Sequence, residues 1–350
     1  MSTIQIRADK LYEICHNVPK VELHCHLFGT IRKDTFLYFN ERAGKPFTDE
    51  EILAFYIRGE KPVGVLKAFR TLDAKLIKYP KDLYRLTYEY LEDAHTHNIL
   101  YTEISWNPTG TTLKSGISFK DAQKAIVDAI DDAEKKIGIQ GRLICAVDRA
   151  DTGEKAVEMV DWMLENPDPH TIGIGIDYRE TDRGPELFHD AYVKAKRHGY
   201  KLTAHAGEYE SPWQNVDYVV NTLHVDRVDH GYSMLHNPKL VEQLVSEKKV
   251  ITVVPTNSYY LRNFTPEEWA QKHPIRKMIK LGLRIHPNTD DPTLHDSDST
   301  KDWMMMVSCF GATISDLETF SLNGVDGCWA PEEKKEELRA AITQFFEKYL

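Results

Sequence analysis

The stretch VELHCHLFG, residues 21–29, reads as a β-strand, with Pro19 as punctuation just before it. On a strand, side chains at i and i+2 share a face, so His24 and His26 project side by side. Two imidazoles so placed can grip one metal ion. Zinc favours imidazole nitrogen and carboxylate oxygen, and a catalytic zinc keeps one position open for water. An isolated H-x-H pair more often belongs to packed or surface histidines, so its meaning depends on the rest of the chain.

From residue 100 onward short apolar runs alternate with helical segments. The runs are residues 100–106, 142–147, 172–177, 201–207, 227–232, 250–255 and 283–290. With the first strand they make eight, which implies parallel pairing through helical crossovers. In residues 120–137, Ala122, Ile126, Ala129, Ala133 and Ile137 share one helical face. The expected fold is α/β, a (β/α)8 TIM barrel, which needs about 250 residues. The surplus falls into a helical insertion after strand one and extra C-terminal helices. Helical candidates in the insertion are residues 33–44, 48–59, 63–77 and 82–97, the last carrying Leu83, Leu86, Tyr90 and Ala94 at helical spacing. Following the histidine strand directly, this insertion either covers a site there or supplies ordinary packing helices. Near the end, residues 333–349 present Leu338, Ile342 and Phe345 on one stripe. No linker, low-complexity tract or repeat divides the chain, so residues 1–350 are expected to form a single domain. An open doubly wound sheet is the competing architecture, but no glycine-rich phosphate loop follows an early strand.

Composition narrows the function classes. The chain has 350 residues, 41% of them hydrophobic, enough for a sizeable core. A net charge of −10 argues against nucleic-acid binding, which needs a basic face. The N-terminal residues lack the apolar run of a signal peptide, and no apolar run approaches the roughly 20 residues that span a bilayer. Five scattered cysteines suit a reduced, cytoplasmic protein. The absence of C-x-x-C makes zinc ribbons and cysteine-ligated deaminases poor matches.

Barrel enzymes place their chemistry at the C-terminal ends of strands. Strand one offers His24 and His26 there. Strand four ends in Asp177-Tyr178-Arg179-Glu180, and strand five in Thr203-Ala204-His205-Ala206-Gly207-Glu208. Strand six ends in Asp229-His230-Gly231, and strand eight in Asn288-Thr289-Asp290-Asp291-Pro292. Each group has an ordinary reading: a satisfied core histidine for His205 or His230, a helix cap for Asp290-Asp291-Pro292. Their recurrence at one end of several strands is what random placement seldom produces.

These motifs resemble those of the adenosine deaminase family, a zinc-dependent branch of the amidohydrolase barrels. The resemblance rests on PKVELHCHL (residues 19–27), TAHAGE (203–208), DHGY (229–232) and NTDDP (288–292), in matching order over nearly the whole chain. It implies His24, His26, His205 and Asp290 as zinc ligands, and Glu208, His230 and Asp291 as catalytic groups. The implied reaction is hydrolytic deamination of a small-molecule 6-aminopurine to the 6-oxopurine and ammonia. The chemistry asks for such residues. Zinc lowers the pKa of bound water to about 7. A neutral His230 can take the water proton. Glu208, protonated through burial, can supply N1 of the purine. Asp291 can orient the attack or the ring near N7. Related barrels with two metals use a bridging carboxylate, often a modified lysine, at the end of strand four. Here Ile176-Asp177 stands in its place, so one zinc ion is expected.

Two departures from the family pattern bear on substrate. Nucleoside-deaminating members usually carry Asp after H-x-H-L, where it accepts from the ribose 5′-hydroxyl. Here Phe28 stands there, followed by Gly29. The same members have glycine three residues after the strand-four aspartate, close to purine N3. Here, after Asp177, it is Glu180, as in adenine-type members. Substrate contacts are accordingly expected from Phe28, Gly29, Asp177, Glu180 and Asp291. Free adenine or a modified 6-aminopurine is favoured over adenosine, with adenosine deamination proper as the alternative. Phe28 can also be a plain packing residue. Trp106 can stack on a ring or pack in the core, and His286 is assigned to core hydrogen bonding. Competing functions are another hydrolytic barrel activity and a non-catalytic zinc-binding barrel, which would be free to lose its acid and base, whereas Glu208, His230 and Asp291 are all present.

Overall fold

The computed structural model describes residues 7–57, 64–181, 183–208, 211–256 and 265–349, apart from the side chains of residues 266 and 267. Strands β1 (Lys20–His26), β2 (Ile99–Trp106), β3 (Gln140–Asp148), β4 (Thr171–Asp177) and β5 (Lys201–Leu202) pair in that order, all parallel. Strands β6 (His205–Ala206), β7 (Val228–His230), β8 (Val250–Val253) and β9 (Arg284–Pro287) form a second parallel set.

Backbone hydrogen bonds join the two sets at both seams. The expected fifth strand is split into β5 and β6, and its residues pair to both sides. Thr203 N donates to Ile174 O at 3.0 Å, while Ala204 O accepts from Asp229 N at 2.9 Å. At the other seam Asp290 N donates to His24 O (2.9 Å) and His26 N donates to Asp290 O (2.8 Å). Cys25 and Asp290 thereby form a parallel bridge. The chain is a closed α/β barrel, and the last strand end sits against the first.

The strands are buried, β1 at all seven positions, as expected of parallel strands with covered faces. The helix Phe119–Ile137 buries Ala122, Ile126, Ala129 and Ala133, the stripe expected from its periodicity. Ser118 caps its start by accepting from Asp121 N, and Gly138, at φ 83°, ends it in a left-handed turn.

The insertion after β1 forms the helices Lys33–Arg42, Asp49–Leu53, Val65–Thr71 and Pro80–Thr96. The third continues into a π-helical turn, Leu72–Leu76. The expected ends at Gly59 and Val63 lie outside the described residues. The C-terminal helix spans Glu332–Phe346. An N-terminal helix, Ala8–Asn17, was not foreseen; it buries Leu11, Ile14 and Cys15. Trp106 packs against Phe119, and His286 is buried with its ring nitrogens 2.9 Å from Phe320 O and 3.1 Å from Val21 O, its one N–H donating to one of them, so both are core residues. Among the described residues no helix is long and apolar enough to cross a membrane.

Candidate active site

Four imidazoles meet at the C-terminal mouth of the barrel. His24 and His26 come from β1, His205 from β6 and His230 from β7, all buried. Ring centroids lie 4.6 Å apart for His24 and His205, 4.7 Å for His205 and His230, and 5.1 Å for His26 and His205. Asp290 completes the group: its Oδ1 is 3.5 Å from His24 Nε2 and 3.1 Å from His26 Nε2. Three of these strand-end residues sit in the left-handed region without being glycine: Tyr178 (φ 65°), His230 (φ 66°) and Asp290 (φ 62°). Such backbone costs on the order of 1–3 kcal/mol each and clusters at functional sites.

Neighbouring groups fix which nitrogens face inward. Thr252 Oγ1 donates its single proton to Asp229 Oδ1 at 2.6 Å, because a carboxylate can only accept. The same oxygen lies 3.0 Å from His24 Nδ1, so that nitrogen carries the hydrogen and donates. Nε2 of His24 then faces inward, buried and 3.5 Å from Asp290 Oδ1. Thr203 Oγ1 donates to the other Asp229 oxygen at 2.6 Å, holding the carboxylate in place. His26 is oriented in a parallel way. Its Nδ1 faces Asp177 Oδ2 at 3.3 Å, and Asp177 Oδ1 accepts from Asn107 Nδ2 at 2.7 Å.

Burial and the neighbouring imidazoles push His205 and His230 well below the usual histidine range, so both are neutral and offer lone pairs. Burial pulls His26 the same way, but the Asp177 and Asp290 carboxylates outweigh it and hold its pKa well above normal. Burial pulls Asp290 upward, and His24 and His26 outweigh that, keeping it ionised. The donor set fits a cation. The donor atoms of His24, His26 and Asp290, and those of His24, His205 and His230, each lie within 4.8 Å of one another. Imidazole nitrogen with a carboxylate is a borderline-soft set suited to zinc and its neighbours.

The remaining sequence candidates surround this group. Glu208, after β6, has Oε2 3.7 Å from His230 Nε2 and 3.9 Å from His205 Nδ1. Asp291 follows Asp290 and sits hard against Gly29, where an added Cβ would fall on its carboxylate. Its Oδ2 is 3.6 Å from His295 Nε2. A cavity of 40 Å³ lies between Glu208, Asp290, Asp291 and His295 on one side and Val65, Leu66, Phe69 and Tyr178 on the other. A larger cleft of 480 Å³ lies outside this mouth, between the helix Pro80–Thr96 and residues 292–299, and contains none of the four clustered imidazoles.

Phe28 is in a 3₁₀ turn (Leu27–Thr30), buried behind the cavity wall with its ring edge-on to Phe69, centroids 6.0 Å apart. Glu180 is also buried and does not line the cavity. Its Oε1 accepts from Gly207 N (2.9 Å) and Asn215 Nδ2 (2.8 Å), and its Oε2 from Glu208 N (3.0 Å). Asp177 is brought to the cavity, beside His26. Thr252, Asn107, His295 and Phe69 were not foreseen. Thr252 carried a faint signal, one hydroxyl inside the apolar run 250–255.

A parallel barrel with buried imidazoles and carboxylates gathered at its strand ends around a cation-sized gap defines a metal-dependent hydrolase. The chain belongs to the adenosine deaminase family: the sequence model described as adenosine deaminase matches residues 19–345. A zinc-bound amidohydrolase from Burkholderia ambifaria superimposes with a TM-score of 0.96 at 52% identity, covering 99% of this chain and 95% of that one. An adenine deaminase from Vibrio parahaemolyticus is 30% identical over 94% of this chain and 96% of its own length. An adenosine deaminase from Clostridium acetobutylicum is 27% identical over 92% and 96%. The protein is a hydrolytic deaminase of the 6-aminopurine type, and its family together with the zinc-bound neighbour implies a metal ion.

Proposed function

We propose that this protein binds one zinc ion through His24, His26, His205 and Asp290 and deaminates a 6-aminopurine, free adenine or a modified 6-aminopurine ahead of adenosine. The observation that carries the reading is the convergence of His24 Nε2 and His26 Nε2 on one Asp290 oxygen, with Glu208 and His230 beside them. Bound there, zinc lowers the pKa of a water ligand to about 7 and so supplies a nucleophile at neutral pH.

The chain's own groups do the rest. His230 is neutral because burial and the neighbouring imidazoles depress its pKa, so it can take the proton of the attacking water. Glu208 delivers a proton or hydrogen bond to purine N1 as C6 becomes tetrahedral. Asp291, held between Gly29 and His295, orients the attack or the ring near N7. The amino group leaves as ammonia with one proton originating from water. At 40 Å³ the cavity has room for about one water, whose share of liquid is roughly 30 Å³. A purine is larger, so the site widens to admit it, with Val65, Leu66 and Phe69 among its lining residues.

Preference for a free or modified base over adenosine rests on the family pattern at two positions, neither of which lines the cavity. Phe28 has no acceptor for a 5′-hydroxyl, and Glu180 fills the position where nucleoside-type members have glycine. The test is an ultraviolet turnover assay on zinc-loaded protein with adenine and adenosine in parallel, beside metal analysis. Faster turnover of adenine with one zinc per chain is expected. A strong preference for adenosine overturns the substrate reading and leaves the deaminase chemistry standing.

A further inference from the structure

Glu180 supports a different role from direct contact with the substrate. Its carboxylate is 1% exposed and receives three hydrogen bonds. Two come from the consecutive backbone amides of Gly207 and Glu208, one to each oxygen, at 2.9 and 3.0 Å. The third comes from Asn215, on the helix Trp213–Asn221, at 2.8 Å. We propose that Glu180 is a positioning residue that clamps the Gly207–Glu208 backbone and thereby aims the Glu208 carboxyl at the substrate. The inference rests on the role given to Glu208 above.

The need for a clamp follows from the local chain. Strand β6 ends at Ala206, and Gly207 turns the chain in the left-handed region at φ 72°. Glycine is the most permissive backbone residue, so this turn is not self-supporting. Beyond Ala206 no strand partner takes the amides of residues 207 and 208. Without an acceptor, each of these buried N–H groups would cost about 1–3 kcal/mol. A single carboxylate accepts from both, one bond to each oxygen. It also ties the end of β4 to the turn after β6, through a residue three positions beyond Asp177. Glu208 then projects from a backbone fixed on both oxygens of Glu180, with Oε2 3.7 Å from His230 Nε2. A misplacement of about 1 Å at such a group can cost about 10²-fold in rate.

Because Glu208 acts mainly as charge develops on the purine, loosening it should lower kcat and leave KM nearly unchanged. The test compares zinc-loaded wild type, Glu180→Gln and Glu180→Gly, with adenine, adenosine and N6-methyladenine as probes. Amide hydrogen exchange of the segment containing Gly207 and Glu208 is read in the same proteins, whatever their turnover. In Glu180→Gln the amide –NH₂ must face a backbone N–H, donor against donor, so one clamp bond is lost. The expected result is faster exchange in both variants, zinc content unchanged, and kcat lower by about 10–100-fold with KM within about threefold on every substrate the wild type accepts.

Unchanged exchange at residues 207 and 208 overturns the clamp, independently of any substrate. A gain of adenosine turnover in Glu180→Gly with adenine turnover retained also overturns it, because Glu180 would then act by excluding the sugar. Turnover of none of the three purines by wild type, with the exchange difference present, would instead count against the assigned reaction while the clamp stands.

Discussion

His24 Nδ1 donates to Thr252 Oγ1 across 3.0 Å, because the Thr252 proton is already committed to Asp229. This fixes the tautomer of a proposed metal ligand from outside the proposed ligand set. Partners of this kind typically contribute 10–100-fold to metal affinity or activity. Thr252→Val keeps the shape of the side chain and removes both bonds. Its zinc affinity, measured by competition with a chromophoric chelator, is expected to fall by about 10–100-fold. Equal affinity for the two proteins would mean that the packing around His24, not Thr252, holds the ring.

Gly29 is required for space and not for backbone freedom. A Cβ there would overlap the Asp291 carboxylate and main chain. Gly29→Ala is therefore expected to displace Asp291 and lower kcat by about 10²-fold, as other small misplacements do. Zinc content is expected to fall less than kcat, since Asp290, next to Asp291, is the one proposed ligand carried by the displaced main chain. Kinetics and metal analysis on one preparation check both parts.

The barrel was legible because its strands are buried on both faces and so read as apolar runs at regular spacing. The metal and acid–base candidates were legible because HCH, HAGE, DHGY and NTDDP each put several chemical groups at one strand end. What escaped was tertiary. The fifth strand breaks at Thr203–Ala204, where pairing passes from β4 to β7 and the Thr203 hydroxyl turns to Asp229. Propensity carries no trace of that exchange of partners. Glu180 could be located at the end of β4, but which groups its oxygens would meet depended on how the turn after β6 lies. His295, four residues past Asp291, returns to the cavity only because His295 N bonds Asp291 O at 2.7 Å.

Removing the metal should expose the charge imbalance of the site. Buried neutral His205 and His230 would be left without a partner charge, and ionised Asp290 with His26 beside it. Dialysis against a strong chelator is expected to abolish turnover and lower the melting temperature, and added zinc to restore both. At a metal concentration 1,000 times Kd the stabilisation is about 4 kcal/mol. A melting temperature insensitive to the chelator would mean that the site is assembled without the ion.

Substitutions at the proposed acid and base should separate chemistry from binding. Glu208→Gln keeps the shape of the side chain and cannot deliver its proton. His230→Asn removes the proton acceptor. Each is expected to lower kcat by about 10²–10⁴-fold with zinc still bound. Retention of near wild-type kcat in either variant would remove that residue from its assigned role.

Asp73 gives the fold a pH dependence separate from the metal site. It lies in the π-helical turn Leu72–Leu76, its Oδ1 accepting from Thr111 Oγ1 at 3.1 Å, and burial pushes its pKa up from 3.8 to about 7. A carboxyl raised on folding is favoured in its protonated form. Its contribution is fully present below pH 4, fades as the pH rises, and is lost above about 7. The rise corresponds to about 4 kcal/mol. Asp73→Asn mimics the protonated carboxyl at every pH. Denaturant unfolding of the two proteins between pH 4 and pH 8 should therefore show wild type losing stability relative to Asp73→Asn, by a few kcal/mol at the alkaline end. The opposite trend, wild type gaining on the variant as pH rises, would mean that Arg70, nearby on the same helical segment, holds Asp73 ionised and that attraction to a cation outweighs burial.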